Sequence, residues 1–266
     1  MRLAITSFLI ILMTGPMLAG EWGPPKNPNP DKILDAAVED TNEGRYEQAL
    51  AKHVWFHRHA LEHDTSQVGV RLSFALSYWI ELGEKYPPAL EKFKSIRDAT
   101  EKRFYREKEA AAILKTFMDL AAMNETLNAE ARTVKAFKSL HENNRKAAKQ
   151  VYQIAEPSLI ATKNYQLAGD YLSSEASWAR IVGSLRRSQK MAEDRDFGES
   201  FRKYINKSFI NDTATLVALL VVNDRKDEAE KIAKAARNES LGEQFQDEFN
   251  KTLKQALEGK VPQPWP

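Results

Sequence analysis

The sequence predicts an all-α fold in which antiparallel helix pairs stack into an α-α superhelix, a helical solenoid. From residue 31 to residue 258, apolar residues recur with helical periodicity in segments separated by short Gly, Asn or Pro punctuation. We find no convincing alternation of apolar and polar residues, the pattern of a half-buried strand, in this region. An internal repeat at an interval of about forty residues is the third observation, and such intervals are typical of helix arrays.

The first twenty residues have the pattern of a signal peptide. Arg2 provides the positive start, an apolar stretch follows, Pro16 breaks it, and the Leu-Ala-Gly sequence at 18–20 offers a cleavage site. We therefore expect an exported protein, periplasmic in a bacterium or otherwise secreted, whose mature part does not span a membrane. The expected organisation is a signal peptide at 1–20, a Pro-rich leader at 21–30, a helical solenoid at 31–258 and a Pro-rich tail at 259–266.

Composition excludes several classes of function. The formal net charge of +2 provides no basic surface of the kind that nucleic-acid binding requires. The chain has no cysteine, which rules out disulfides, a thiol nucleophile and a Cys-ligated metal. We therefore expect core packing alone to hold the mature protein together.

The internal repeat has a simple physical basis. The sequence from Tyr46 to Lys52, Tyr-Glu-Gln-Ala-Leu-Ala-Lys, recurs as Tyr-Pro-Pro-Ala-Leu-Glu-Lys from Tyr86 to Lys92. A Gly or Asn tolerates the left-handed conformation that ends one helix, and a small Ala in the next helix lets two backbones approach. One helix pair cannot bury its apolar face, so several pairs must stack. Weaker copies of the pattern lie at 124–129, 164–168 and 226–236.

These residues resemble the tetratricopeptide-repeat (TPR) family. Gly44, Tyr46 and Ala49 match the glycine, aromatic and alanine positions of the family, and the sequence from Trp79 to Tyr86 matches its W-x2-L-G-x2-Y string. The resemblance implies a TPR-like helical solenoid with a concave groove. A helical domain of another topology remains the alternative, because the interval exceeds the 34 residues of the family.

Four of the five histidines lie close together, at positions 53, 57, 59 and 63. The pairs His53/His57 and His59/His63 each have the i,i+4 spacing that can bind Zn²⁺ on a helix. However, the two pairs point in directions that differ by roughly 200–240° around the helix, so they cannot share an ion. We therefore predict no metal site and interpret these histidines as surface and core residues.

Two short strings are typical of hydrolases. His59 to His63 satisfies the H-x-x-E-H pattern of inverted zinc peptidases, and Ser200 to Lys203 fits the S-x-x-K of penicillin-interacting enzymes. Both strings are short. The S-D-N and K-T-G companions of S-x-x-K are absent from the sequence, and inverted zinc peptidases need a further distal acidic ligand and a far larger chain. We therefore predict no catalytic residues, no cofactor and no enzyme activity.

The resemblance implies a partner-binding surface on the helix that precedes Gly83. The family's offsets place Arg71, Phe74, Tyr78 and Glu81 towards the groove, on one helical stripe. Aromatic and Arg side chains together favour a binding hot spot. The alternative is that Phe74 and Tyr78 belong to the core and that Arg71 is a paired interior charge.

The predicted function is therefore a scaffold that binds a peptide or protein partner in its groove. Two alternatives remain: a carrier of a small molecule or lipid, and an unrecognised hydrolase. A carrier requires a closed apolar pocket, a peptide binder an open groove of mixed polarity, and a hydrolase ionisable residues that converge in one cleft.

Overall fold

The computed structural model describes residues 22–194 and 197–264, and within these ranges the chain is all-α, with thirteen helices and no β-strand. The predicted all-α class is confirmed. The predicted signal peptide at 1–20 lies outside the described residues, as do the last two residues of the predicted tail.

The chain divides into two compact units, one up to Glu91 and one from Lys92 onward. Most of the first unit consists of three helices of 12 to 18 residues and one of 4 residues, followed by the start of a fifth. The bounds are α1 (Pro30–Asn42), α2 (Tyr46–His63), α3 (Val68–Arg71), α4 (Phe74–Lys85) and α5 (Pro87–Phe104).

Eight further helices belong to the second unit. Neighbours along the chain pack against each other, as α7 does with α8 and α10 with α11, while α11 also contacts α9, α12 and α13. The bounds are α6 (Ala110–Thr126), α7 (Glu130–Asn143), α8 (Arg145–Ala161), α9 (Tyr165–Gly169), α10 (Ser174–Asp194), α11 (Gly198–Val222), α12 (Lys226–Ala236) and α13 (Gln246–Leu257).

Four of the helix connections share one turn geometry. In each, a residue with positive φ follows the helix end, and the next residue donates its backbone N–H to the carbonyl five residues earlier. This six-to-one hydrogen bond satisfies a carbonyl that the helix end leaves without a partner. The residues with positive φ are Gly44 between α1 and α2, Asn128 between α6 and α7, Lys163 between α8 and α9, and Asp224 between α11 and α12.

A small residue lies in the first turn of the helix that follows each of these connections. Ala49, Thr133, Ala168 and Ala229 each stand five residues after the residue with positive φ, and each is fully buried. The turn geometry is present at the predicted copies that contain Ala49, Ala168 and Ala229, but not at the copy from Tyr86 to Lys92, where no residue with positive φ precedes Ala89. The copy predicted at 124–129 is displaced, because the turn itself lies at Asn128 and the small residue at Thr133.

The first unit has a small core of aromatic and aliphatic side chains. Trp55 and Phe56 of α2 pack with Ile33 and Leu34 of α1. Trp79 of α4 is 1% exposed, and its indole Nε1 donates to the carbonyl of Ala89 at 3.0 Å. The buried Trp79 therefore links α4 to the start of α5 through a hydrogen bond.

A buried carboxylate joins α1 to α2. Asp40 forms an ion pair with Lys52, and the Arg45 Nε also donates to the Asp40 carboxylate at 2.7 Å. Two cations therefore compensate one buried charge, as burial of an ionised carboxylate requires. The position of Lys52 within the repeated sequence places it within reach of Asp40.

Three predicted boundaries are wrong. The first helix begins at Pro30, one residue before the predicted start at 31, and Asn29 is its N-cap, whose side chain accepts from the backbone N–H of Lys32. Gly83 does not end a helix but lies inside α4, where an added Cβ would meet the Leu90 Cβ at 2.9 Å. Its role is close helix approach rather than chain reversal. Asn124 is likewise buried within α6.

One helix has the length and composition of a membrane span. α11 contains an 18-residue window of sufficient hydropathy, but 56% of that window is buried within the protein. Its buried residues include Leu216, Leu219 and Leu220, which belong to the core of the second unit. Burial in this core accounts for much of the apolar character of α11.

Candidate functional site

The four residues predicted to contact a partner do not form one stripe. The chain leaves the helical conformation at Ser73 (φ −136°, ψ −95°), so Arg71 ends α3 whereas the other three residues lie on α4. Phe74 is 64% exposed, Glu81 is exposed, and Tyr78 packs against the core of the first unit. The predicted single face from Arg71 to Glu81 is therefore wrong, because a helix break interrupts it.

Arg71 is a buried structural cation. Its side chain is largely removed from solvent, and its Nε donates to the backbone carbonyl of His57 at 2.7 Å. This arrangement matches the alternative interpretation of an interior charge. Phe74 and Glu81 remain accessible for a partner, whereas Arg71 does not.

We expect Arg71→Ala to lower the free energy of unfolding by about 2 kcal/mol, because it removes a buried hydrogen bond from a charged donor. Phe74→Ser is the control and should change stability by less than about 0.5 kcal/mol, since its side chain is exposed. Thermal denaturation of both variants measures the difference. If Arg71→Ala melts like the parent protein, the hydrogen bond to His57 does not stabilise the first unit.

The histidine pairs pack on two different tryptophans. His53 and His57 contact the ring of Trp79, whereas His59 and His63 contact the ring of Trp55. The predicted divergence of the two pairs is confirmed. Burial lowers the pKa of His53 to about 4, because the charged imidazolium would be desolvated. The described residues contain no group of three or more His, Asp or Glu side chains placed to hold a metal.

An open groove runs along α7 in the second unit. Two adjoining cavities of about 580 and 610 Å³ share Lys138, Glu142 and Asn164, and we call them together the α7 groove. Its lining mixes lysine, tyrosine and aliphatic side chains. The further lining residues are Tyr105, Ala131, Val134, Lys135, Ser139, His141, Thr162, Lys163, Tyr165, Gln166, Leu167 and Val222.

The charge of the α7 groove is positive. Lys135, Lys138 and Lys163 are exposed, and among the described residues none of the three forms an ion pair. Glu142 is the one carboxylate in the lining. Tyr105 is 45% exposed at one end and provides an aromatic surface. A groove of this kind suits a ligand that carries negative charge together with apolar groups.

A second, smaller cavity of about 210 Å³ lies between α8, α10 and α11. We call it the Glu156–Asp212 pocket after its two most buried carboxylates. Arg180 approaches Glu156 with its Nη2 3.6 Å from Oε2, and the Tyr152 hydroxyl donates to Glu156 Oε1 at 2.8 Å. The Ser208 hydroxyl donates to Asp212 Oδ2 at 3.4 Å. Ionisable side chains thus converge in one cleft.

Proline shapes one wall of this pocket. Pro157 lies inside α8, and because it has no N–H, it leaves the carbonyl of Gln153 without its helical donor. Both residues line the pocket. This site is not among the predicted ones, although a proline inside an otherwise helical pattern, directly after Glu156, is a visible indication of it.

Burial raises the pKa of Glu156 and, independently, that of Asp212. Arg180 opposes both shifts, whereas the proximity of Asp212 raises the pKa of Glu156 further. At these two carboxyls the folded protein therefore binds more protons than the unfolded chain at pH values between the unfolded carboxyl pKa of about 4 and the raised folded values. The stability from these carboxyls is full below that pH and is lost as the pH rises through the raised folded values.

We expect the double variant Glu156→Gln with Asp212→Asn to melt at a higher temperature than the parent at neutral pH. The two proteins should converge as the pH falls towards 4, because the parent's carboxyls then become protonated. Melting temperatures between pH 4 and 8 measure the effect, and exposed Asp247→Asn is the control. The lowered pKa of His53 has the opposite effect, because it makes stability increase with pH. His53 is present in all three proteins and therefore does not affect the comparison. If the melting temperatures of the parent and the double variant differ by the same amount at every pH, the raised pKa values of Glu156 and Asp212 are contradicted.

No family model, curated protein or solved structure is significantly similar to this chain. The residues and their geometry must therefore carry any inference about function.

Proposed function

We propose that the mature chain is an exported, non-catalytic helical-repeat scaffold that binds an extended, acidic segment of a peptide or protein partner. The α7 groove carries this proposal, because it is open and combines lysines with tyrosine and aliphatic side chains. An open groove of mixed polarity is the feature that distinguishes a peptide binder from a carrier. No cofactor is part of this proposal.

The recurring turns support a TPR-like solenoid as the architecture of this scaffold. Gly44 and Ala49 occupy the positions that the family's glycine and alanine would take, and Lys163 with Ala168 repeats the geometry in the second unit. Repeated helix pairs present extended surfaces that suit segments of other proteins. The accessible residues Phe74 and Glu81 provide a further, smaller surface on α4.

The lysines of the α7 groove indicate that the partner is acidic. Lys138 lies in both cavities of the α7 groove, and Lys135 and Lys163 lie in one cavity each. Carboxylates of a bound segment would replace solvent at these ammonium groups, while Tyr105 and Leu167 would contact its apolar side chains. Such a ligand complements the groove along its length.

The proposal predicts which peptides the mature protein selects from a random display library. Enriched peptides should be acidic, and Lys138→Glu should abolish their binding. Lys146→Glu is the matched control, because Lys146 is exposed on α8 and does not line the groove. Selection without acidic bias, or equal binding by the two variants, would contradict the assignment of the α7 groove.

The Glu156–Asp212 pocket makes a hydrolase the second candidate. Two carboxyls whose pKa values are raised can act as general acid and base, and perturbed values cluster at active sites. A panel of chromogenic ester, peptide and glycoside substrates tests this activity. Turnover that Glu156→Gln and Asp212→Asn each abolish would support a hydrolase and contradict the non-catalytic scaffold.

A further inference from the structure

The C-terminal segment of the chain lies against the Glu156–Asp212 pocket. After α13 the chain reverses at Gly259, which has φ +81°, and then continues without regular secondary structure to residue 264. Val261 packs against the core of the second unit. The Asn211 side-chain amide donates to the backbone carbonyl of Gln263 at 3.0 Å, and Pro264 itself lines the pocket.

Residues 261–264 belong to the Pro-rich segment predicted at 259–266, and from here on only these four residues are called the tail. They have the chemistry of a peptide ligand. Their sequence is Val-Pro-Gln-Pro, and each proline fixes φ and removes a backbone N–H that would otherwise need a partner. A segment of this type is already extended before it binds, so that docking costs little conformational entropy. The contacts involve the backbone of Gln263 rather than its side chain, which is exposed.

The tail leaves part of the pocket empty. About 210 Å³ remains beside Pro264, bordered by Glu156, Arg180 and Asp212. Gln153, whose carbonyl receives no N–H from Pro157, also lines the pocket. A longer or differently substituted segment therefore finds further hydrogen-bonding groups there.

We propose that the Glu156–Asp212 pocket is a binding site for an extended, proline-containing segment of another protein, and that the tail is its resident occupant. A Val-Pro-x-Pro segment of that other protein competes with the tail for the hydrogen bond from Asn211 and for the position of Pro264 in the pocket. This site is separate from the α7 groove and does not depend on it.

Competition makes the proposal testable in the protein itself. The probe is a fluorescein-labelled peptide with the sequence of residues 260–266, and fluorescence anisotropy measures its binding. The tail in cis has an effective concentration on the order of millimolar, so the parent protein should bind the probe weakly. Val261→Asp with Pro264→Asp weakens tail docking and should increase affinity for the probe at least tenfold.

Two further variants separate specific binding from a general effect. Gln263→Ala keeps the backbone carbonyl and should behave like the parent protein. Asn211→Ala, added to the tail variant, should lower affinity for the probe about threefold or more, as loss of one hydrogen bond implies. A probe in which both positions carry Asp should not bind.

Circular dichroism melting confirms that each variant is folded, and Pro264→Asp alone replaces the double variant if the change at Val261 destabilises the core. No binding to a folded tail variant, or equal binding by parent and tail variants, would overturn the proposal. Lys138→Glu should leave probe binding unchanged. A negative result in this binding assay therefore does not contradict the proposed function of the α7 groove. A negative result for acidic peptides at the α7 groove likewise does not contradict a binding site in this pocket.

Discussion

Replacing Ala49 or Ala89 by Trp should lower the free energy of unfolding by about 3 kcal/mol or more, the upper end of what overpacking costs. Both alanines are completely buried in the first unit. A Trp at either site must displace a helix, because the side chain has no solvent-facing direction available. Chemical denaturation with matched thermal melting measures the loss.

The control for these variants is Ala111→Trp. Ala111 is exposed in the first turn of α6, so an indole there can extend into solvent. Its effect should stay within about 0.5 kcal/mol. If Ala49→Trp and Ala89→Trp both unfold like Ala111→Trp, the close helix approach that defines the repeat is absent.

The second large effect is expected for Gly169→Ala, at the end of α9. A Cβ there would lie 2.1 Å from Oδ1 of Asn223. The Asn223 amide donates to the carbonyl of Tyr165 at 3.0 Å and to that of Leu219 at 2.7 Å. An alanine must therefore expel this side chain and break both hydrogen bonds, which together with the clash costs about 2–4 kcal/mol.

Gly69→Ala is the matched control, since an added Cβ at Gly69 meets nothing within 4 Å. That substitution should be neutral or stabilise by about 0.4–1 kcal/mol through the unfolded state. Combining Gly169→Ala with Asn223→Ala should cost less than the sum of the two single changes, because the clash disappears. Strict additivity in urea denaturation would show that the two residues do not interact.

Helical periodicity and the Gly44–Ala49 spacing were sufficient to predict the all-α class and the close helix contacts. Ala49, Ala89, Ala168 and Ala229 are all fully buried, as the repeat requires. These positions could be predicted because a small residue at a fixed distance from a turn is a local feature. The TPR-like superhelix is a long-range property, and it stays a prediction.

Asn124 illustrates where local reasoning fails. An asparagine can end a helix in the left-handed conformation or lie buried within one, and sequence alone does not distinguish the two. Here its amide donates to the Thr133 hydroxyl at 3.1 Å, and its Oδ1 accepts from Arg97. The left-handed role falls to Asn128, four residues later in the chain.

The candidate sites could be predicted only in part. The stripe on α4 failed because the break at Ser73 has no strong sequence pattern, and Arg71 is consequently buried. The Glu156–Asp212 pocket combines residues of α8, α10 and α11 with the tail. Such a site depends on how distant helices pack, which periodicity does not specify.

The most direct measurement of the proposed function is photo-crosslinking of the protein in its native cells. A benzophenone amino acid at Lys135 lies in the α7 groove, and the same group at Lys146 provides the control. We expect adducts from position 135 alone, mapped by mass spectrometry to an acidic, extended segment of a partner, and lost when Lys138→Glu is added. Equal adducts from both positions, or adducts that survive Lys138→Glu, would contradict a partner-binding α7 groove.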